Sequence, residues 1–297
     1  MTSAVRLASI VALVILVTSC DRGAIDTGVV DGNAASLTDP RLVTLSPHLA
    51  ELVFAIGAGD LLVGVSAYTD YPPEALSVPV IGDAFNLDQE RLTMLDPDLL
   101  LAWDNGTPQH VIDDLRTRGF RIEVITTTSI PDIPAAMRRI GNLTGRQSGA
   151  DSAARSFDEK HSAIREAQSG QPPITVFYQV DARPLYTING EHYLSELIEL
   201  CGGVNIFADI GGLAPLISVE AVLERDPEVI FAASDAGPTA FDQWERWPEL
   251  AANRIGNRFV MPANEIGRAT PRLLIAAEAA CEALEQARNN RDNAGND

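Results

Sequence analysis

The chain has 297 residues, 46% of them hydrophobic and 21% charged, a balance typical of a globular protein of one or two domains with a sizeable core. Its formal net charge is −19 and it has no run of lysines or arginines, so a nucleic-acid-binding surface is excluded. An acidic surface instead favours solubility and cationic partners.

The chain begins with a segment typical of a secretion signal. Arg6 precedes an apolar run over residues 7–17, which is too short for a membrane span and has the length of a signal-peptide core. The run leads into Val-Thr-Ser-Cys20, which resembles a bacterial lipobox; a plain signal peptide is the alternative. We expect a lipoprotein signal over residues 1–20, with Cys20 lipidated. Residues 21–40 lack periodicity and are predicted to form a flexible tether.

Strands and helices alternate from residue 41 onwards. In the first half we predict strands over 41–45, 62–65, 78–81, 99–103 and 121–125, and helices over 51–56, 89–95, 108–118 and 130–140. In the second half we predict strands over 174–179, 229–232 and 259–261, and helices over 193–200, 219–224, 241–244 and 271–288. This alternation predicts an α/β fold with mainly parallel sheets and helices on both faces.

A polar helix over residues 145–169 divides the chain. Its apolar and half-apolar residues recur every three or four positions in a thin stripe, so we expect it to lie along a surface. Thr144, followed three residues later by Gln147, resembles a capping box at its start.

The segments on either side of this helix are alike. Residues 90–102 and 220–232 each predict a short helix, an Asp-Pro turn and an apolar strand, with a glutamate six residues before the aspartate. We interpret this as two lobes of similar build joined by a single long helix; chance similarity of two common α/β units is the alternative. The predicted boundaries are an N-terminal lobe over 41–144, a linking helix over 145–170, a C-terminal lobe over 171–290 and a disordered tail over 291–297.

The chain contains three cysteines, Cys20, Cys201 and Cys281. If Cys20 carries a lipid, the other two are an even pair in an oxidising compartment. A bridge between them would close a loop of roughly 80 residues and stabilise the fold by on the order of 4 kcal/mol. Two buried free thiols are the alternative.

Catalytic and metal-binding motifs are missing from the sequence. It has no G-x-S-x-G elbow, Walker loop, C-x-x-C pair or dinucleotide-binding fingerprint, so we expect a protein that is not an enzyme. His48 and His192 each stand near the start of a lobe's first helix and, with a carboxylate, would suit zinc or manganese. We favour two ordinary helix-start histidines and expect no metal site and no cofactor.

Ligands of parallel α/β sheets bind beyond the carboxyl ends of the strands. At these ends the chain offers flat aromatic side chains for a large ligand and polar side chains to anchor it. The candidate ligand-binding residues are Tyr68, Phe85, Trp103, Tyr186, Asn264 and Arg268. Core packing is the alternative for each aromatic taken singly.

Two glutamates occupy equivalent places in the two lobes. Glu90 and Glu220 each stand six residues before the aspartate of the Asp-Pro turn. Their pairing would suit a symmetric docking contact with basic patches on a dimeric partner; ordinary solvated charges are the alternative.

Four stretches resemble a known family. They are residues 63–73 (VGVSAYTDYPP), 97–103 (PDLLLAW), 201–207 (CGGVNIF) and 268–277 (RATPRLLIAA). They resemble the cobalamin-binding periplasmic proteins of bacterial ABC importers, a class of substrate-binding protein whose two lobes are joined by one rigid helix. The resemblance covers residues 41–288.

The resemblance implies roles for particular residues. Tyr68 and Trp103 fall where the family lines its corrinoid pocket, Tyr186 where it has a phenylalanine, and Arg268 where it has an arginine. Glu90 and Glu220 match the lobe-tip glutamates that dock onto arginines of the permease dimer. Cys201 and Cys281 match the family's disulfide, and Cys20 implies a lipid-anchored version.

Four departures concern the implied pocket. Ala84 and Ala214 stand where the family has tryptophans, Val180 where it has a phenylalanine, and Asn264 where it has a ligand-contacting aspartate. The pocket is therefore predicted to be less aromatic and roomier, with a cobinamide-like corrinoid, haem, an iron–siderophore or a metal ion as alternative ligands.

We thus expect a monomeric periplasmic lipoprotein, anchored to a membrane, that binds no nucleic acid. It should capture a cobalamin-like corrinoid between its lobes without catalysis and deliver it to an ABC permease.

Overall fold

Two parallel sheets of four strands each form the framework of the protein. The structure, a computed structural model, describes residues 39–83 and 85–295, so the predicted signal, Cys20, nearly all of the predicted tether and Ala84 lie outside the described residues. Among the residues that are described, no helix combines the length and apolar character needed to cross a membrane.

The first sheet and its helices form the N-terminal lobe. Its strands lie in the order β2-β1-β3-β4 and all neighbours are parallel. The strands are β1 (Leu42–Thr44), β2 (Leu62–Gly64), β3 (Leu99–Trp103) and β4 (Ile122–Ile125), and the helices are α1 (Pro47–Ala55), α2 (Gln89–Leu95), α3 (Gln109–Thr117) and α4 (Asp132–Thr144). The buried strands β1 and β3 are almost wholly apolar, as expected for strands covered on both faces.

The second sheet is built in the same order. Its strands run β10-β9-β5-β8, so that in both lobes the first strand of the sheet lies between the second and the third. The strands are β5 (Ile174–Gln179), β8 (Gly203–Asn205), β9 (Val229–Ala233) and β10 (Arg258–Met261), with a small hairpin of β6 (Asp181–Ala182) and β7 (Leu185–Tyr186). The helices of this half are α6 (Tyr193–Leu200), α7 (Val219–Arg225), α8 (Ala251–Arg254), α9 (Ala263–Ile266) and α10 (Leu273–Ala294). The predicted two-lobe α/β fold with parallel sheets is confirmed.

Helices α2 and α7 confirm the predicted internal similarity. Each has a capping side chain at its start, where Asp88 accepts a hydrogen bond from the backbone N–H of Arg91 and Ser218 one from that of Ala221. Each ends at the aspartate of the Asp-Pro turn, with φ of +41° at Asp96 and +40° at Asp226. Aspartate is one of the few residues that tolerate this left-handed conformation, which turns the chain directly into the next strand.

The linking helix α5 (Gln147–Ala167) lies between the two lobes in sequence. It buries a thin stripe of Ala150, Ala154 and Phe157 and leaves its other faces exposed, as predicted. The predicted capping box is wrong, because α4 extends to Thr144 and that hydroxyl donates to Ile140 O of its own helix at 2.8 Å. Gly145, at φ +73°, then ends α4, which leaves no threonine at the start of α5.

Helix α10 closes the chain and corrects the prediction for its end. It continues to Ala294, so residues 291–294 belong to the helix and not to a disordered tail. The Arg291 guanidinium donates to Pro173 O at 3.1 Å and to the Glu228 carboxylate at 3.2 Å, which fixes this last turn on the second lobe. The disulfide between Cys201 and Cys281 is present and joins the end of α6 to α10.

One apolar core joins the lobes. The largest cluster of buried apolar side chains runs from β1 and α1 through α4 and α5 into β5, α6 and α10. Two smaller clusters fill the outer faces of the two sheets. Because the main core is continuous across the linking helix, the walls of the cleft between the lobes stand on one packed framework.

Candidate ligand-binding cleft

The carboxyl ends of β1, β2 and β3 open into a cavity of about 360 Å³. Three of the predicted ligand-binding residues, Tyr68, Phe85 and Trp103, line this cavity together. The Tyr68 and Phe85 side chains are 81% and 73% exposed, although both are large and apolar. Large exposed aromatic rings gathered around one cavity are typical of a binding surface and not of a core, so the core-packing alternative fails for Tyr68 and Phe85.

Tyr68 is held by its main chain. Its φ is +66°, in the left-handed region that is rare for aromatic residues. The loop around it is fixed by a hydrogen bond from Ala67 N to Gly82 O at 2.7 Å and by one from the Thr69 hydroxyl to Ser66 O at 2.8 Å. The ring therefore projects from a rigid loop, which suits a side chain that meets a ligand.

Trp103 ends β3 and forms the base of the cavity. Its backbone N–H donates to the Thr107 hydroxyl at 3.0 Å, and its ring meets the His48 ring edge-on with centroids 4.8 Å apart. A Cβ on Gly106 would lie 2.0 Å from the indole, so this close approach requires glycine. The indole Nε1 is buried and has no hydrogen-bond acceptor among the described residues.

A second cavity, of about 190 Å³, lies where the two lobes meet. Lobe 1 contributes residues 46–48, Trp103 and Thr127, and lobe 2 contributes Tyr193 and residues 267–269. Trp103 lines both cavities, so Arg268 of lobe 2 comes close to the aromatic wall of lobe 1. The cleft is thus assembled from both lobes.

Arg268 lies in the cleft with its guanidinium already engaged. Nη1 donates to Glu51 at 2.7 Å and to Asp70 at 2.5 Å, and Nη2 donates to Tyr68 O at 3.1 Å. The hydrogen bond from this side chain holds the pKa of Asp70 below its usual value. All three acceptors belong to lobe 1. The expectation that Arg268 anchors a polar substituent of the ligand stays a prediction.

Tyr186 and Asn264 do not join the other candidates. Tyr186 is half-buried in β7, where its carbonyl accepts a hydrogen bond from Val180 N at 2.9 Å, and Asn264 is exposed on α9; neither lines either of the two cavities. Beside Tyr186, bridged to it through the backbone, lies Leu216, which is 63% exposed. A single leucine in a loop carries no periodic signal, so nothing in the sequence marks Leu216 as a neighbour of Tyr186.

The lobe 2 wall is more polar than the lobe 1 wall. A cavity of about 550 Å³ lies at the carboxyl ends of β5 and β9, lined by residues 180–183 and by residues from 235 to 242. Asp181, Asp235 and Asp242 lie on its rim with a single arginine, Arg183. Val180 and Ala214 are both exposed. The resemblance implies that they stand where the family has aromatic residues.

The two helix-start histidines each make their hydrogen bonds within their own lobe. His48 is buried, with Nδ1 2.7 Å from the Ser46 hydroxyl and Nε2 3.3 Å from the Thr127 hydroxyl, and burial lowers its pKa to about 3. His192 caps α6 by accepting a hydrogen bond from Leu194 N at 3.1 Å, and burial lowers its pKa to about 4. Among the described residues no group of three or more His, Cys, Asp or Glu side chains is arranged to hold a metal ion.

Glu90 and Glu220 lie in the first turns of α2 and α7 and are both exposed. The Glu220 carboxylate accepts hydrogen bonds from its own backbone N–H and from the Ser218 hydroxyl, which lower its pKa. Both carboxylates are therefore solvent-facing and placed at matching points of the two lobes. The structure is consistent with a paired contact surface, which stays a prediction.

Comparisons with known proteins agree with the fold. Residues 42–265 match the family model described as periplasmic binding protein. A vitamin B12-binding protein of Vibrio cholerae is 35% identical over 246 residues, covering 82% of this chain and 89% of the relative. One of Pectobacterium carotovorum is 33% identical over 262 residues, covering 87% and 93%.

Solved structures of periplasmic binding proteins also match this chain. The crystal structure of the periplasmic vitamin B12-binding protein BtuF of Vibrio cholerae matches with a TM-score of 0.77 and 34% identity, covering 84% of this chain and 98% of that one. A periplasmic haem-binding protein from Pseudomonas aeruginosa matches with a TM-score of 0.72 at 23% identity, which shows the shared fold alone. The resemblance inferred from the sequence is confirmed, and the chain belongs to the periplasmic binding protein family.

Proposed function

We propose that this chain is the substrate-binding lipoprotein of a bacterial ABC importer, anchored in the periplasm through Cys20. It captures a corrinoid between its lobes and delivers it to the permease without chemical change. The observation that carries this proposal is the cavity where Tyr68, Phe85 and Trp103 meet, two of them with most of the ring exposed. The likeness to vitamin B12-binding proteins directs the choice of ligand.

The chemistry of the cavity suits a large, flat ligand. A corrinoid has a macrocycle with apolar faces and amide groups at its edge, so one face can lie against aromatic rings while the edge meets polar groups. Aromatic contacts of this kind contribute about 0.5–1.5 kcal/mol each beyond the area they bury. On lobe 2, the exposed Val180 and Leu216 offer aliphatic surface.

The smaller side chains on the lobe 2 wall should lower the affinity for cobalamin. With alanine at 214 and valine at 180, fewer aromatic faces cover the ligand, so the affinity for intact cobalamin should be lower than a fully aromatic pocket would give. Haem, an iron–siderophore and a metal ion are the competing ligands within the same class of protein.

Calorimetric titration with cyanocobalamin tests the proposal, using the chain from residue 21 onwards. We expect saturable one-to-one binding in the nanomolar to low-micromolar range, with haem and zinc titrated in parallel. Saturable binding of haem or zinc with no heat from cyanocobalamin would refute the corrinoid assignment. Turnover of the added corrinoid would refute the non-catalytic mechanism.

Tyr68 and Leu76 provide a matched pair of variants for the same titration. Both side chains are exposed, at 81% and 69%, but only Tyr68 lines the aromatic cavity. Tyr68→Ala should weaken cyanocobalamin binding about tenfold, since it removes one large stacking surface. Leu76→Ala should leave the affinity unchanged. Equal effects of the two variants would show that the ligand is bound elsewhere.

The lobe-tip glutamates test delivery separately from capture. The double variant Glu90→Ala, Glu220→Ala (the tip variant) should leave ligand affinity intact. It should impair docking on the permease and therefore uptake of the corrinoid by cells. The control, Glu74→Ala with Glu245→Ala, also removes two negative charges, from exposed sites that lie outside α2 and α7. Normal uptake by the tip variant would refute the docking role, and equal impairment by both variants would show that only net charge matters.

The lipid anchor has its own test. Cys20→Ser should abolish the incorporation of labelled fatty acid into the protein. Unchanged incorporation of the label into that variant would show that Cys20 does not carry the lipid.

A further inference from the structure

Arg268 belongs to lobe 2 and makes its polar contacts with lobe 1. It follows α9 in the chain, whereas its acceptors Glu51, on α1, and Asp70, in the loop after β2, lie 217 and 198 residues away in sequence. Its Nη2 reaches Tyr68 O, in the same loop, at 3.1 Å. One guanidinium therefore connects α1 and the Tyr68 loop of lobe 1 to lobe 2.

The buried end of this contact makes it costly to break. The Glu51 side chain is only 2% exposed, and its Oε1 accepts from Arg268 at 2.7 Å and from Arg272 at 3.4 Å. A carboxylate removed from water needs such cationic donors, so Glu51 holds both arginines against lobe 1. The Arg268 side chain is itself only 16% exposed, which leaves little of it available to a ligand.

The other end of the contact reaches the residue that lines the aromatic cavity. Tyr68 has a φ of +66° and is 81% exposed, so packing against the protein contributes little to the position of its ring. Its position depends on main-chain contacts of the loop. Arg268 supplies one of these through the Tyr68 carbonyl, and it also binds the side-chain carboxylate of Asp70, two residues further on.

The neighbouring arginine braces the same loop. The Arg272 guanidinium lies over the Tyr71 ring, 4.0 Å from its centroid, and is paired with Glu265 of lobe 2. The loop from residue 66 to 71 is thus held by two arginines from the opposite lobe. The setting of this loop therefore depends on contacts from lobe 2 as well as on those within lobe 1.

We infer that Arg268 is a positioning residue that acts on the ligand through Tyr68, tying the setting of the Tyr68 ring to the closure of lobe 2 on lobe 1. The inference rests on the proposed function for the identity of the ligand, but its structural part concerns the protein alone. It differs from the expectation of a direct contact between Arg268 and a polar substituent.

Hydrogen exchange of the ligand-free protein tests the structural part. Arg268→Gln should speed amide exchange in residues 66–74 about tenfold, while exchange in the strands stays unchanged. This factor corresponds to the free energy lost when hydrogen bonds to a charged group are removed. Asp70→Asn should also speed exchange in these residues. Because the Asp70 side chain is half-exposed, this variant should fold even if Arg268→Gln does not. The matched control is Arg225→Gln, which breaks contacts to Asp209 and Ile206 O within lobe 2. Unchanged exchange in residues 66–74 in both test variants would overturn the inference.

A double-mutant cycle on the cyanocobalamin dissociation constant tests the coupling. Arg268→Gln should weaken binding about tenfold in the native background and less than about twofold beside Tyr68→Ala, because its effect passes through that ring. The same factor in both backgrounds would mean a direct contact and overturn the coupling. If the native protein binds no corrinoid, the proposed function fails, whereas the exchange experiment still decides whether Arg268 positions the loop.

Discussion

Mild acid should destabilise the first lobe through His48. The side chain is 5% exposed, lies between two hydroxyls and supports the edge of the Trp103 ring. Burial, and secondarily the charge of Arg268, lower its pKa to about 3. In the unfolded chain the pKa returns to roughly 6.5. Between these values the unfolded chain binds a proton that the folded chain does not, so the free energy of unfolding falls as the pH falls.

The size of the effect follows from the two pKa values. Below pH 6.5 each unit of pH removes about 1.4 kcal/mol, which amounts to about 2.5 kcal/mol between pH 7 and pH 4.5. His192, with its pKa lowered to about 4 by burial, contributes with the same sign. A variant must therefore isolate His48, and His48→Gln does so because glutamine keeps an amide for the hydroxyls and cannot titrate in this range.

Urea unfolding at pH 7 and pH 4.5, followed by tryptophan fluorescence, measures the difference. The native protein should lose about 2.5 kcal/mol more than His48→Gln over this interval, whatever stability the variant loses at pH 7. His110→Gln, which removes an exposed histidine of α3, should show the same pH dependence as the native protein. If His48→Gln also behaves like the native protein, His48 is not held neutral in the folded state and the reasoning is refuted.

Three further predictions concern stability and the cavity. Reduction of the disulfide, which spans 80 residues, should lower the free energy of unfolding by about 4 kcal/mol in urea melts. Asp96→Gly should be more stable than Asp226→Gly by about 1 kcal/mol in the same melts. Both variants relieve a positive φ, but among the described residues only the carboxylate of Asp226 accepts a hydrogen bond, from the backbone N–H of Ala251 in α8. Gly106→Ala should displace Trp103, lowering both thermal stability and cyanocobalamin affinity in calorimetry; unchanged affinity would contradict that role for the indole.

Most of the fold could be predicted because its signals are local. Apolar runs bounded by glycine, proline and aspartate gave α2, β3 and α6 with the observed bounds. Strand β8 is absent from the predicted elements because a Gly-Gly pair after an apolar helix is typical of a helix end, whereas Gly203 begins a three-residue strand that pairs with β5. The predicted strand over 78–81 is a single bridge at Val80, and the predicted helix start over 241–244 is a short 3₁₀ turn over Trp244–Arg246.

The site was predictable only where a general rule of the fold applies. Because parallel strands present their carboxyl ends at one edge, the sequence placed Tyr68 and Trp103 together in the same cavity, as observed. The same rule gave no account of what Arg268 binds. Its partner Glu51 is a buried acid on α1, and no local pattern relates the two across more than two hundred residues.

The two lobes share their framework and differ in their cleft walls. Strand order, helix caps and tip glutamates are equivalent, and all of these lie in the sheets or at the starts and ends of α2 and α7. The loops after the strands differ, with aromatic rings on lobe 1 and aliphatic and acidic side chains on lobe 2. Because most of the apolar contact surface lies on lobe 1, we expect a ligand to seat there first. We infer that lobe 2 contributes less apolar surface to the ligand and acts on it through the contacts of Arg268 with the Tyr68 loop.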